Sequence, residues 1–178
     1  TGLSAKEYDK LGAAIVELGN NFATTESDIL NMAMRIASAG TQVGLTVDEI
    51  VGFAAALSSL GLEAEMGGTA FSTAIKQMQI AAETGSEKLD KFAEIAGMTR
   101  EEFVKLWGAD TAGAITAFIK GLGNVEGAGK STIRMLEDVG LKGVRVSDTW
   151  SRLSLNAELL SDALDMSSRA FEENTALV

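Results

Sequence analysis

Gly40-Thr41-Gln42-Val43-Gly44-Leu45-Thr46-Val47-Asp48-Glu49 lies inside the stretch, Ile29 to Met78, whose reading decides the fold class. On either side of it apolar residues recur at the spacing of one helical face: Ile29, Met32, Ala33, Ile36 and Ala37 before it, Ile50, Phe53, Ala54 and Leu57 after it. The quoted residues carry the punctuation for the join. Gly44 can take the left-handed conformation that closes one helix, and Thr46, with Glu49 three residues on, forms a capping box that opens the next. A third face, Phe71, Ala74, Ile75 and Met78, follows a longer turn built the same way, Leu60-Gly61-Leu62-Glu63-Ala64-Glu65-Met66-Gly67-Gly68-Thr69. Three amphipathic helices joined by glycine turns predict an all-α chain. No residue here is a nucleophile set beside a base, so the stretch reads as architecture.

The same signals extend outward. Ser4 and Glu7 form a capping box for a first helix with Tyr8, Leu11, Ile15 and Leu18 on its face and Gly19 at its close. Thr25 caps the next, with Glu26 and Asp28 in the first turn where carboxylates suit the helix dipole. Beyond Met78 the chain turns at Gly85, and Ser86 caps a short helix carrying Leu89, Phe92 and Ala93 that Gly97 ends. Gly97-Met98-Thr99-Arg100-Glu101-Glu102-Phe103-Val104 then repeats the chemistry of Gly44 to Val51 position by position. A duplicated helix pair would do this. So would any connection that uses a terminating glycine and a capping box, and convergence is the better reading because nothing outside the octets aligns.

Phe103, Val104 and Trp107 mark a further helix, and Ile115, Phe118, Ile119 and Leu122 another from about Thr111, after which glycines at 121, 123, 127 and 129 are expected to break the chain. Ser131 opens a helix with Ile133, Leu136 and Val139 that ends at Gly140, and Val146, Trp150 and Leu153 mark the next. Asn156 is expected to cap the last one, with Leu160, Ala163, Leu164 and Phe171 on one side. The expectation is a compact bundle of about eight to ten short helices. No proline- or serine-rich linker, low-complexity tract or charge block divides it, so residues 1–178 read as a single helical domain. The helix at 156–178 is the part expected to project. The chain starts Thr1-Gly2-Leu3 without methionine or signal-peptide pattern and stops after Phe171 without a C-cap signal, which reads as an internal fragment of a longer protein.

Composition narrows the chemistry. Hydrophobic residues make up 46 % of the chain and aromatic ones only 6 %, with 19 glycines and no proline, which favours close-packed helices over a sheet sandwich. A net charge of −10 argues against gripping a phosphate backbone, so proteins rather than nucleic acid are the expected partners. Without cysteine there is neither a disulfide framework nor thiolate chemistry, and without histidine the usual general base and commonest metal ligand are missing. No apolar run reaches the roughly 18 residues of a membrane span.

The remaining candidates for chemistry each have a duller reading. Gly127-Ala128-Gly129-Lys130-Ser131-Thr132 imitates a phosphate-binding loop, but Asn124 stands where the motif needs its first glycine and the preceding segment is helical rather than a buried strand. A turn with Ser131 as a cap is expected instead. The carboxylate pairs Asp48/Glu49, Glu101/Glu102 and Glu63/Glu65 could serve as acid and base, yet the first two fall in first turns of helices and no feature supplies the apolar pocket that a catalytic acid needs. Met32, Met34, Met66, Met78, Met98, Met135 and Met166 read mostly as core filler, and Trp107 and Trp150 as core anchors. No catalytic, cofactor-binding or metal-ligating residue is nominated.

A family resemblance covers nearly the whole chain. Arg35-Ile36-Ala37-Ser38-Ala39-Gly40, Gly44-Leu45-Thr46, Ala56-Leu57-Ser58-Ser59-Leu60-Gly61-Leu62-Glu63-Ala64-Glu65 and Gly67-Gly68-Thr69-Ala70-Phe71-Ser72 resemble the core region of phage tail tape measure proteins. Leu18 to Ser27, Thr84 to Leu89, Phe92 to Met98, Phe118 to Gly123 and Glu173 to Leu177 are similar to the same family. The resemblance implies a long helical protein of the phage virion tail that lies in the tube lumen, sets tail length during assembly in the host cytoplasm, and leaves when the genome is delivered. It implies the tail tube protein, tail assembly chaperones, tail tip proteins and other copies of itself as partners, and it brings no active-site motif, no cofactor and no metal. One unbroken helix of this many residues would reach roughly 270 Å at ~1.5 Å per residue. With a helix breaker every ten to twenty residues the segment reads as a folded module and not as the extended ruler. A generic helical scaffold or adaptor fits the same composition, and a cell-wall lytic domain is the third reading.

Overall fold

Each helix of the chain starts and stops on signals of its own, and the ones that matter most surround α3 (Val47–Ser59). The structure, a computed structural model, describes residues 3–127 and 131–173. Among them are ten helices and no strand: α1 (Ala5–Asn21), α2 (Glu26–Val43), α3, α4 (Ala64–Thr84), α5 (Glu87–Ile95), α6 (Arg100–Ala109), α7 (Thr111–Gly127), α8 (Thr132–Asp138), α9 (Val144–Leu155) and α10 (Ala157–Glu173). The all-α bundle read from the sequence is therefore correct.

Capping boxes form at Ser4/Glu7, Thr46/Glu49 and Thr99/Glu102, and Thr25 accepts from the Asp28 N–H at 3.0 Å. Four helices end in one motif: a glycine at positive φ, followed by an apolar residue whose N–H reaches five residues back. Leu45 bonds Gly40, Leu62 bonds Leu57, Met98 bonds Ala93 and Leu141 bonds Leu136 in this way. The likeness of the Gly44 and Gly97 octets is one use of this general connector.

α3 departs from the amphipathic reading. Its residues 50 to 57 are all buried, Gly52 and Ala55 included, because α1, α2, α4 and α10 cover it on different sides. A helix apolar all round belongs inside. α1, α2, α3 and α10 form one group, α5 to α9 a second, and α4 packs against members of both. The groups share a line of aromatic rings: Phe53 to Phe71 at 4.9 Å, Phe71 stacked on Trp150 at 5.5 Å, Trp150 edge-on to Phe118 at 5.7 Å, and Phe118 to Phe92 at 5.4 Å. These rings join α3, α4, α9, α7 and α5, and such contacts contribute roughly 0.5–1.5 kcal/mol each beyond burial. With so few aromatics in the chain, half of them spent on this line identify it as the centre of the fold.

Several boundaries differ from the sequence reading, for one physical reason. Gly19, Gly67, Gly68, Gly121 and Gly123 do not break helices but sit inside them. A Cβ on Gly121 would stand 1.7 Å from the Ile95 carbonyl oxygen, and one on Gly68 would stand 2.5 Å from the Arg35 side chain. These glycines let neighbouring chain approach, so the turn before α4 shrinks to Leu60–Glu63. Tyr8 and Ile133, expected on inner faces, are more than half exposed, and α1 turns Ala13 and Ala14 inward beside Leu18, which is buried as expected.

The last helix does not project. α10 lies along α1 and α3, with Leu160, Ala163, Ser167 and Ala170 buried, because α3 offers Gly52 as a groove for the α10 backbone. Nor does Asn156 cap it: its side-chain amide turns back and donates to the Arg152 carbonyl of α9 at 2.8 Å.

Candidate functional site

The residues with chemical potential turn out to hold the scaffold. Glu49 accepts the Thr46 N–H at 2.9 Å and Glu102 accepts the Thr99 N–H at 3.2 Å, so one member of each first-turn pair is a cap. Asp48 fastens α10: its carbonyl accepts the Ser167 hydroxyl and its carboxylate the Ser168 hydroxyl, each at 2.6 Å. Glu65 stands 4.0 Å from Arg35 on the surface, and Glu63 precedes α4 without a side-chain capping bond. The structure does not bring the three pairs together.

Gly127 is the last residue of α7, while residues 128–130 of the loop-like motif lie outside the described residues. Ser131 caps α8 by accepting the Arg134 N–H at 3.4 Å, as expected. Trp150 is fully buried and donates through Nε1 to the Ala70 carbonyl at 3.3 Å. Trp107 is nearly so and donates to Gln79 Oε1 at 2.6 Å. Both tryptophans are core anchors. Met32 and Met78 fill the core, but Met34 is 70 % exposed and Met66 also faces outward, outside the core-filler reading.

Open grooves formed by described residues mark the surface. One of about 410 Å³ runs between α7 and α10, and its lining includes Glu49, Asp110, Asp165, Lys120, Gly113 and Leu164. A second of about 460 Å³ adjoins it at Glu49 and Asp110, between the α2–α3 turn and the α6–α7 junction. The third, about 500 Å³, lies among the end of α4, α5 and α6. Among the described residues no group of three or more acidic, His or Cys side chains is placed to hold a metal ion, and no helix is long and apolar enough to cross a membrane. Among the described residues, the buried polar atoms Ser72 Oγ, Gln77 Oε1 and Thr132 Oγ1 have no hydrogen-bond partner, and they line none of these grooves.

Sequence reasoning did not single out Ser167, Ser168 or Gln79, or the side chain of Thr111, whose hydroxyl reaches the Val43 and Trp107 carbonyls at 3.0 and 2.7 Å. A polar residue within an otherwise apolar helical face was the available signal for Ser167. The partners, 119 residues away in the case of Asp48, are fixed only by the packing.

A family model described as phage-related minor tail protein matches residues 1–139. The chain belongs to the phage-related minor tail protein family. Among relatives of this tail protein, one named probable tape measure protein, from Halomonas phage phiHAP-1, is 28 % identical over 96 residues. The match takes in 54 % of this chain and only 11 % of that relative. No solved structure matches. The likeness to tape measure sequences carried by the central residues is borne out by these two matches.

Proposed function

We propose that this chain is a folded helical module of a tape measure protein, one domain within a longer tail protein, and that it contributes packing and docking surface rather than length. The observation that carries this reading is α3, enclosed by other helices, in a chain whose ten described helices pack on one another. A domain of this size has a radius of gyration near ~16 Å, whereas the same residues as a single helix would reach roughly 270 Å. The module works without catalysis: its carboxylates act as caps and ties, and its family is one of minor tail proteins. Its proposed partners are the tail tube protein, tail assembly chaperones, tail tip proteins and other copies of itself, met in the tube lumen of the virion and, during assembly, in the host cytoplasm.

The test is an in-frame deletion of residues 1–178 from the parent gene, with tail length measured by electron microscopy. A folded module predicts that any tails formed shorten by a small fraction of the roughly 270 Å a helical ruler of this length would lose. Loss of that full length would overturn the reading.

A further inference from the structure

The bend between α9 and α10 is made at Asn156 and without a glycine. The chain has 19 glycines but none after Gly143, and the junction is the single residue Asn156. There the Asn156 N–H bonds the Leu153 carbonyl at 3.0 Å, and the Asn156 side chain takes the Arg152 carbonyl that an uninterrupted helix would have given to that N–H. On the other side the Asn156 carbonyl already accepts the Leu160 N–H at 3.1 Å, as a helical residue does. Turning Asn156 from φ −130°, ψ 36° into the α region would bring α10 into line with α9. It would also let the first N–H groups of α10 meet the last carbonyls of α9, groups that helix ends leave without intrahelical partners.

The bend is held from outside. Gly52 admits Leu164 so closely that a Cβ would stand 3.0 Å from its Cα, Ser167 and Ser168 bond Asp48, and Lys10 lies 5.7 Å over the Phe171 ring. Each of these ties belongs to α1 or α3, and none to α9.

We propose that α10 is a hinged strap: released from α1, α3 and its lighter packing on α7, it joins α9 in one continuous helix over residues 144–173, about 45 Å long at ~1.5 Å per residue. Opening uncovers the groove at Gly52 and Asp48, and the occupant that fits it without change is the α10 of a second copy, so copies can exchange straps. Local helix geometry favours the open form and the ties to α3 the closed one, which makes the balance sensitive to single substitutions.

The chain has no cysteine, so spin labels can be placed at Lys6→Cys and Glu172→Cys alone, both exposed and outside the ties. Pulsed dipolar spectroscopy should find a dominant short distance and a minor long one. Asn156→Ala should raise the long population about threefold, the helix-propensity advantage of alanine over asparagine, and Ser167→Ala, which leaves the hinge intact, should raise it too. The long distance should be narrow with alanine at position 156 and broad with Asn156→Gly. A single short distance in all variants that keep the near-ultraviolet signal of buried Trp150 would overturn the strap, and a broad long distance with alanine would overturn the joined helix.

Discussion

Gly97 and Gly121 are the same residue used for opposite purposes a short distance apart in space. Gly97 closes α5 with φ +75° and has no atom within 4 Å of where a Cβ would be, so what it supplies is a backbone conformation. Gly121 is an ordinary helical residue of α7, and what it supplies is room: the carbonyl of Ile95, last residue of α5, occupies the place of its side chain. One is a property of the local chain, and the other exists only when two helices cross. Glycine content by itself therefore does not mark turns in this protein.

That contrast can be broken by substitution. Gly121→Ala forces backbone apart at the α5–α7 crossing, and overpacking of this severity should cost roughly 3 kcal/mol. For a chain of this size the thermal midpoint should fall by about 6–12 °C, and an unchanged midpoint would refute the crossing. Gly97→Ala strains only one residue, at about 1 kcal/mol, so its midpoint should fall by about 2–4 °C. If Gly97→Ala proved the more damaging, the assignment of the two roles would be reversed.

The smallest effect sharpens the local side of the comparison. Arg100 and Asp90 straddle the Gly97 turn, with Nε donating to Oδ1 at 2.7 Å and Nη2 to Oδ2 at 3.1 Å. The hydrogen bond from Arg100 holds the Asp90 carboxyl below its ordinary value, partly opposed by desolvation. Because the folded pKa is depressed, the pair stabilises the fold above the ordinary carboxylate pKa, and that contribution is lost as pH falls through the lower, folded value. The pair is solvent-exposed, so its share of stability is small. Carboxyl titration by NMR should show Asp90 among the most acidic side chains, and Arg100→Gln should return it towards the ordinary value of about 3.9.

Helix starts were legible because caps are short-range chemistry. Thr25, Thr99 and Ser131 each accept from an N–H three residues on, Glu49 accepts from the Thr46 N–H, and Gly44, Gly97 and Gly140 each close a turn on their own neighbours. Core positions such as Phe53, Ile115 and Phe118 were legible from periodicity, since one face recurs every 3.6 residues. Tyr8 and Ile133 were misplaced because the apolar stripe was drawn through them, while α1 packs through the small residues Ala13 and Ala14. The absence of a nominated site followed from the missing cysteine and histidine; Glu49's work as a cap was legible, but that of Asp48 was not, because it finds Ser167 and Ser168 across some 120 residues.

The sequence by itself determined where nearly every helix begins, which residue ends most of them, and that the chain is all-α, because these outcomes depend on hydrogen bonds and backbone conformations within a few residues. Only the tertiary structure decided that α3 is covered by helices on different sides, that Gly121 and Gly123 continue a helix instead of breaking it, and that α10, after the break at Asn156, lies against α3 instead of projecting. Those outcomes depend on which surfaces meet, and a close approach between distant segments has no signature in the residues on either side of it.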